Sequence, residues 1–159
     1  MSDHDRFLLQ RVQPAMVGLI DGSLSTLAPI FGIALATHKP LFAFVAGLVT
    51  AIGAGISMGF SEGLSDTGEL TGRGNPIVRG SITGGGTFVG GILHTLPFLI
   101  PHYKVAIITA IVVVAFELVA LAWLRFRYFG DSFVRALGIV TLAGVVIASV
   151  SAGLGNQIG

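Results

Sequence analysis

Long apolar stretches, each of about 20 residues or more, occupy most of this 159-residue chain. An α-helix needs about 20 mostly apolar residues to cross the hydrocarbon core of a bilayer. Only 11% of the residues are charged, against about 25% in an average soluble domain, and the mean hydropathy is +0.87. The runs lack the two-residue alternation of membrane strands. The sequence therefore predicts an all-α integral membrane protein with five transmembrane helices, at about 14–37, 40–64, 77–100, 103–124 and 133–155.

The connections between these stretches are short, so no separate soluble domain is expected. Residues 1–13 are predicted to form a cytoplasmic N-terminal tail, and residues 14–159 a single five-helix transmembrane domain. The first residues lack the basic region of a cleaved signal peptide, so the first span is expected to remain in the protein. The absence of cysteine excludes thiolate metal ligands and thiol catalysis.

The distribution of basic residues predicts how the chain is oriented. Only Lys39 and Lys104 fall on one side of the predicted spans. Because cytoplasmic segments of membrane proteins are enriched in Lys and Arg, the more basic side is the cytoplasmic one. The N-terminus is thus predicted in the cytoplasm and the C-terminus outside. The basic residues of the cytoplasmic side are Arg6, Arg11, Arg73, Arg79, Arg125, Arg127 and Arg135.

Three side chains in the first two spans form a candidate metal site. An ionisable group inside a span costs roughly 2.5–3.5 kcal/mol on insertion scales, so it calls for an explanation. Asp21 lies ten residues after Arg11, or about 15 Å into the bilayer, and Met58 lies about 10 Å from the polar segment that follows the second span. Glu62 lies one helical turn after Met58. A metal site formed by Asp21, Met58 and Glu62 is the functional interpretation; a hydroxyl-bonded acid, apolar packing and a solvated helix end are the structural alternatives.

Further polar residues extend this site in both directions as a path for metal entry or for protons. Glu117 in the fourth span is either part of this path or a partner for a hydroxyl or an arginine. His94 in the third span either reaches the interface with its ring or passes protons outward, because its ordinary pKa lies near neutrality. The residues of the predicted path are Asp66, Glu69, His94, Glu117 and Ser25.

The ligand types indicate which cation such a path would carry. Carboxylates alone suit hard ions, whereas a thioether shifts the preference toward Fe²⁺, with Mn²⁺ as a second candidate. Carboxylates must lose protons before they bind metal, which couples the two occupancies. No Walker motif is present. The chain is therefore expected to be a proton-coupled antiporter of divalent metal rather than an enzyme, with no permanently bound cofactor and no nucleic-acid partner.

Small residues recur every four positions along the second span and form a ridge on one helix face. Such ridges let another helix approach closely. Packing is the simpler interpretation, and a sliding surface for a conformational change is the alternative. The ridge consists of Ala43, Gly47, Ala51, Gly55, Gly59 and Gly63.

Two segments resemble motifs of the vacuolar iron transporter family. Residues 18–26 (GLIDGSLST) resemble the first-span motif, and residues 54–62 (AGISMGFSE) resemble the second-span motif. The resemblance implies a homodimer in which the first two helices line a cation path, with Fe²⁺ or Mn²⁺ exchanged for protons. It also implies metal-binding roles for Asp21, Met58 and Glu62.

The sequence departs from that family in the connection between the second and third spans. The family commonly inserts a glutamate-rich metal-binding domain there, whereas this chain has only residues 65–76. Residues 68–76 and 94–97 look closer to the transporter half of bacterial membrane-bound ferritins. We therefore expect a bacterial inner-membrane protein. Because the acids that follow Met58 on the second span open to the cytoplasm, we expect it to export metal. The alternative is a non-transporting module that docks a soluble ferritin-like partner.

Overall fold

The computed structural model describes residues 1–158, and within them it is helical without strands. Gly159, the last residue of the predicted transmembrane domain, lies outside the described residues. The helices are α1 (Asp3–Phe7), α2 (Gln13–Ser25), α3 (Leu27–Thr37), α4 (Pro40–Ser65), α5 (Pro76–Leu93), α6 (Tyr103–Phe129) and α7 (Phe133–Ile158), with a π-helical segment at Leu8–Val12 and a 3₁₀ helix at Leu96–Leu99.

Four helical segments among the described residues are long and apolar enough to cross a membrane: Asp3–Thr37, Pro40–Ser65, Tyr103–Phe129 and Phe133–Gly155. The prediction of an all-helical, membrane-type chain is confirmed to this extent. The predicted third span is the exception, because it is divided into α5 and the 3₁₀ helix. Six glycines among the 18 residues of α5 lower its hydropathy.

The first membrane helix begins earlier than predicted, because most of the expected tail is helical. Ser2 accepts a hydrogen bond from the Asp5 backbone N–H at 3.1 Å, and the Ser2 N–H donates to the Asp5 carboxylate at 2.9 Å. This reciprocal capping box satisfies two backbone donors of a helix start. The first 35-residue segment then runs to Thr37, with a single turn residue at Thr26 between α2 and α3.

The ridge of small residues on α4 packs closely, as the simpler interpretation predicts. Ala43, Gly47, Ala51 and Gly55 are buried. A Cβ atom added to Gly55 would lie 3.0 Å from the Gly84 carbonyl oxygen of α5. The opposite side of α5 approaches α2 even more closely, so α5 lies between α2 and α4 with backbone against backbone on both sides.

Apolar side chains form two internal clusters. One contains Ile30 and Phe98, and the other contains Met16 and Leu121. Along the first 35-residue helical segment, Thr26 lies between Met16 of one cluster and Ile30 of the other. The outward faces of the long helices carry many exposed Val, Ile, Leu and Phe side chains, as expected where lipid is the solvent.

Candidate functional site

Glu62 and Asp66 lie in an ion-pair cluster with two arginines, Arg73 and Arg79. Glu62 Oε1 lies 2.6 Å from Arg73 Nη2 and 2.9 Å from Arg79 Nε. Asp66 lies 3.2 Å from each arginine, through separate carboxylate oxygens. The cluster contains two negative and two positive groups, so it is neutral as a unit.

Arg79 organises this cluster from a fully buried position. Its guanidinium has five N–H protons, and the structure provides five acceptors for them. Two of these are carboxylate oxygens of Glu62 and Asp66, and a third is the Gly74 carbonyl. The remaining two are the backbone carbonyls of Glu62 and Asp66, at the C-terminal end of α4. Arg79 therefore places a cation where the helix dipole favours one and satisfies carbonyls that α4 leaves open.

The surroundings of Asp66 lower the pKa of its carboxyl group. Its partial burial acts to raise the pKa, but hydrogen bonds from the Gly68 N–H and the Thr71 hydroxyl and the charge of Arg79 lower it by more. The net result is a pKa below the ordinary value of 3.8. Asp66 is thus a carboxylate at neutral pH, as an ion-pair partner must be.

The three predicted metal ligands do not meet within one chain. Asp21 lies on α2, whereas Met58 and Glu62 lie on α4, and α5 separates these helices over most of their length. Their neighbours Gly22 and Gly59 approach Thr87 and Gly80 of α5, seven residues or about 10 Å apart along that helix. Among the described residues there is no group of three His, Asp or Glu side chains close enough to hold a metal ion.

Asp21 is half-buried, and it has no counter-ion or hydrogen-bond partner among the side chains that the structure describes, those of residues 1–155. This separates it from the other acids of the long helices. Glu62 is paired with arginines, and Glu117 is paired with a histidine. Val17 and Ala28, which lie on the same side of the first helix as Asp21, are exposed in the single chain.

His94 and Glu117 form a buried polar triad with Thr26. His94 Nδ1 lies 2.9 Å from Glu117 Oε2, and His94 Nε2 lies 2.6 Å from Thr26 Oγ1. Thr26 Oγ1 also lies 2.9 Å from the Gly22 carbonyl oxygen. Thr26 and His94 are 0% exposed and Glu117 is 6% exposed. The structure therefore places His94 in the interior and not at the interface.

Two polar side-chain atoms, one in this triad and one in the residue before Thr26, lack a hydrogen-bond partner among the described residues. Glu117 Oε1 and Ser25 Oγ are both buried without a hydrogen bond. Buried polar groups without partners are rare in folded proteins and call for a specific explanation. Ser25 and Glu117 were both predicted as path residues, and both present an unused polar atom in the interior.

The structure joins some of the predicted residues and leaves others apart. It pairs His94 with Glu117, and it links Glu62 to Asp66 through the arginines. Glu69 is exposed in the turn that follows α4. Sequence reasoning missed Thr26, because a threonine in an apolar run carries no signal, and it counted Arg79 only as a cytoplasmic charge. The position of Arg79, 17 residues after Glu62 across a short connection, was the available signal for that pair.

Comparison with protein-family models, with curated proteins and with solved structures finds no match to this chain. The resemblance to vacuolar iron transporters thus rests on the two sequence motifs and stays a prediction.

Proposed function

We propose that this protein is a transporter of divalent transition metal that exports Fe²⁺, and Mn²⁺ as a second substrate, from the cytoplasm in exchange for protons. The observation that supports it most directly is the unpartnered Asp21 carboxylate on an apolar helix. An intramembrane carboxylate without a counter-ion is a functional site by default, because lipid cannot stabilise its charge. A transported cation would supply the missing charge.

In this proposal α5 with its 3₁₀ extension serves as a fifth span, with the N-terminus in the cytoplasm and the C-terminus outside. The ion-pair cluster then lies at the cytoplasmic end. The Gln10 side chain donates to the Gly72 carbonyl at 2.9 Å, which holds the connection after α4 beside the N-terminal helix. The proposed location is a bacterial inner membrane.

A homodimer follows from the same side chain. The side of the first helix that carries Val17, Asp21 and Ala28 is exposed or half-buried in the single chain. A second copy on this side would remove Asp21 from lipid and could bring it toward Met58 of the other copy. Because α5 separates Asp21 from Met58 within a chain, we place the metal path between two copies.

Glu62 takes a different role from Asp21 in this mechanism. Its Oε1 atom receives both arginine contacts, so the other carboxylate oxygen is the one available to a metal ion. A divalent cation at the cytoplasmic mouth would compete there with two guanidinium groups. We therefore assign Glu62 to metal entry, and Asp21 and Met58 to the site within the membrane.

The test is metal flux into liposomes that contain purified protein under a pH gradient. We expect Fe²⁺ flux in the wild type and its near-complete loss in Asp21→Asn, which keeps the shape of the side chain and removes its charge. Asp3→Asn is the matched control, because Asp3 is fully exposed near the N-terminus. Normal flux in folded Asp21→Asn would contradict the proposal. Absence of flux in the wild type would favour the docking module instead.

A further inference from the structure

The buried polar triad contains two ionisable groups, His94 and Glu117, that the metal site does not use. We propose that Thr26, His94 and Glu117 form a binding site for one exchangeable proton, and that this proton is transported in the direction opposite to the metal. Only the exchange of the proton for metal rests on the proposed function. Binding of the proton follows from the hydrogen bonds alone.

The Thr26 hydroxyl determines which nitrogen of His94 carries a proton. A hydroxyl has one proton to donate, and the Gly22 carbonyl, 2.9 Å away, can only accept it. The contact of 2.6 Å between Thr26 Oγ1 and His94 Nε2 is then a hydrogen bond only if Nε2 is the donor. With the Thr26 hydroxyl directed at the Gly22 carbonyl, Nε2 is therefore protonated.

One further proton lies between His94 Nδ1 and Glu117 Oε2, which are 2.9 Å apart. Without it, two lone pairs would face each other in the interior. It belongs either to an imidazolium beside a carboxylate or to a carboxylic acid beside an imidazole. In both cases the pair has no net charge, whereas imidazole and carboxylate together carry one negative charge. With the Thr26 hydroxyl directed at the Gly22 carbonyl, the neutral pair is the proton-loaded state of the proposed site, and its contacts match the distances in the structure.

Thr26 also allows the proton to leave. When the pair loses one proton, the remaining imidazole proton can sit on Nδ1 and donate to the Glu117 carboxylate. Nε2 then becomes an acceptor, and the Thr26 hydroxyl rotates from the Gly22 carbonyl to donate to it. Both states keep the contacts of the ring satisfied, so one proton is exchanged without rearrangement of the helices. The buried Oε1 atom of Glu117, which has no partner among the described residues, is the position where the proton enters or leaves.

Few other charges face the triad from the surrounding helices. Asp21 is the one other ionisable residue of α2 and α3, and α4 has none before Glu62. On α5, Arg79 lies fifteen residues before His94. On α6, Glu117 is the one ionisable residue from 105 to 124. On α7, the one ionisable residue is Arg135, near the start of the helix. His94 and Glu117 are therefore expected to titrate as one coupled pair.

The first test uses the purified protein without any metal. The ¹⁵N resonances of the His94 ring and the infrared band of the Glu117 carboxyl are followed against pH, and each is assigned by its loss in His94→Gln or Glu117→Gln. We expect both probes to change in a single shared step. Glu117→Gln should shift the midpoint of His94 by about one pH unit or more. An unchanged midpoint of His94 in Glu117→Gln would overturn the proposal.

Thr26 provides a second, milder test. Thr26→Ser keeps the hydroxyl and should retain the shared step, whereas Thr26→Val removes it and should shift the step or split it into two. A structural role for Thr26 would not distinguish the titration of the two variants once both are folded. Identical titration curves in Thr26→Ser and Thr26→Val would overturn the two-state role of the hydroxyl.

The last test measures protons moved per metal ion in liposomes with a pH-sensitive dye. Glu117→Gln should move one proton fewer per cycle, and Asp3→Asn should match the wild type. If the wild type shows the shared titration but no metal flux, the proton site stands and the proposed function fails. If metal flux is normal and its proton ratio is unchanged in Glu117→Gln, the site is not the coupling site and the proposal fails.

Discussion

Arg79 Nε donates a hydrogen bond of 2.9 Å to Glu62 Oε1, although Arg79 belongs to α5 and Glu62 to the last turn of α4. The guanidinium is buried and the carboxylate is nearly so. This bond closes the α4–α5 hairpin at its connection and fixes the orientation of the carboxylate that we assign to metal entry.

Replacement of Arg79 should therefore destabilise the protein strongly. Arg79→Met leaves Glu62 and Asp66 with one arginine for two carboxylates and opens the C-terminal carbonyls of α4. Loss of one partner from a buried ion pair typically costs about 3–5 kcal/mol. Thermal unfolding in detergent measures the effect. The control is Arg6→Gln, because Arg6 pairs with Asp3 at the surface, where such pairs contribute about 0–1 kcal/mol. Equal stability of the two variants would contradict the role of Arg79.

The ion-pair cluster also predicts a loss of stability in acid. The folded pKa of Asp66 lies below the ordinary value of 3.8, so below about that pH the unfolded chain binds more protons than the folded one. The contribution of Asp66 is thus complete above this value and is lost as the pH falls through the folded pKa. Asp66→Asn should be less stable at neutral pH, and its stability should fall less steeply than that of the wild type as the pH drops below about 4. A parallel decline in both proteins would exclude Asp66 as the source.

Close packing of α2 on α5 makes a sharp prediction for two glycines. A Cβ atom at Gly22 would lie 2.0 Å from the Thr87 carbonyl oxygen, whereas a Cβ atom at Gly85 would meet nothing within 4 Å. Gly22→Ala should destabilise the protein by about 1–3 kcal/mol or more, because backbone must move. Gly85→Ala should be neutral or more stable by up to about 1 kcal/mol, because alanine favours the helix. Thermal unfolding of both variants, normalised to the wild type, measures the difference.

The proposed thioether ligand predicts a change in metal selectivity. Met58→Leu keeps the volume and apolarity of a half-buried side chain, so the fold should persist. Fe²⁺ flux should fall by a larger factor than Mn²⁺ flux, since the harder ion depends less on sulfur. The ratio of initial rates for the two metals, measured in the same liposomes, is the quantity to compare. A wild-type ratio would remove Met58 from the site.

The starts of α4 and α5 were better predicted from the sequence than the end of α6. Pro40 and Pro76 occupy the first turns of α4 and α5, where a missing N–H costs nothing, so these starts could be read directly. The fourth span is predicted to end at 124 because Arg125 and Arg127 interrupt the apolar run. The helix continues to Phe129, since basic residues do not by themselves end a helix.

The candidate site was only partly predictable, because its pairings are tertiary contacts. Single residues such as His94 and Glu117 could be selected by the cost of placing them in lipid. Their contact with each other depends on how α5 packs against α6, and the pattern of apolar residues in the sequence does not specify that packing. The arginine partners of Glu62 remained hidden for a related reason, because a hairpin connection of ten residues leaves its pairing open.

The position of α5 between α2 and α4 has a consequence for the order in which the protein is assembled. If α5 is the fifth span that we propose, its six glycines leave it little apolar side-chain surface, so its partition into the bilayer would depend on neighbouring helices. Both neighbours of α5 precede it in the chain, so they leave the ribosome before α5 does. The order of the helices in the chain thus allows α5 to pack between α2 and α4 after both have been synthesised. A circular permutant that begins with α5 should be inserted into the membrane poorly.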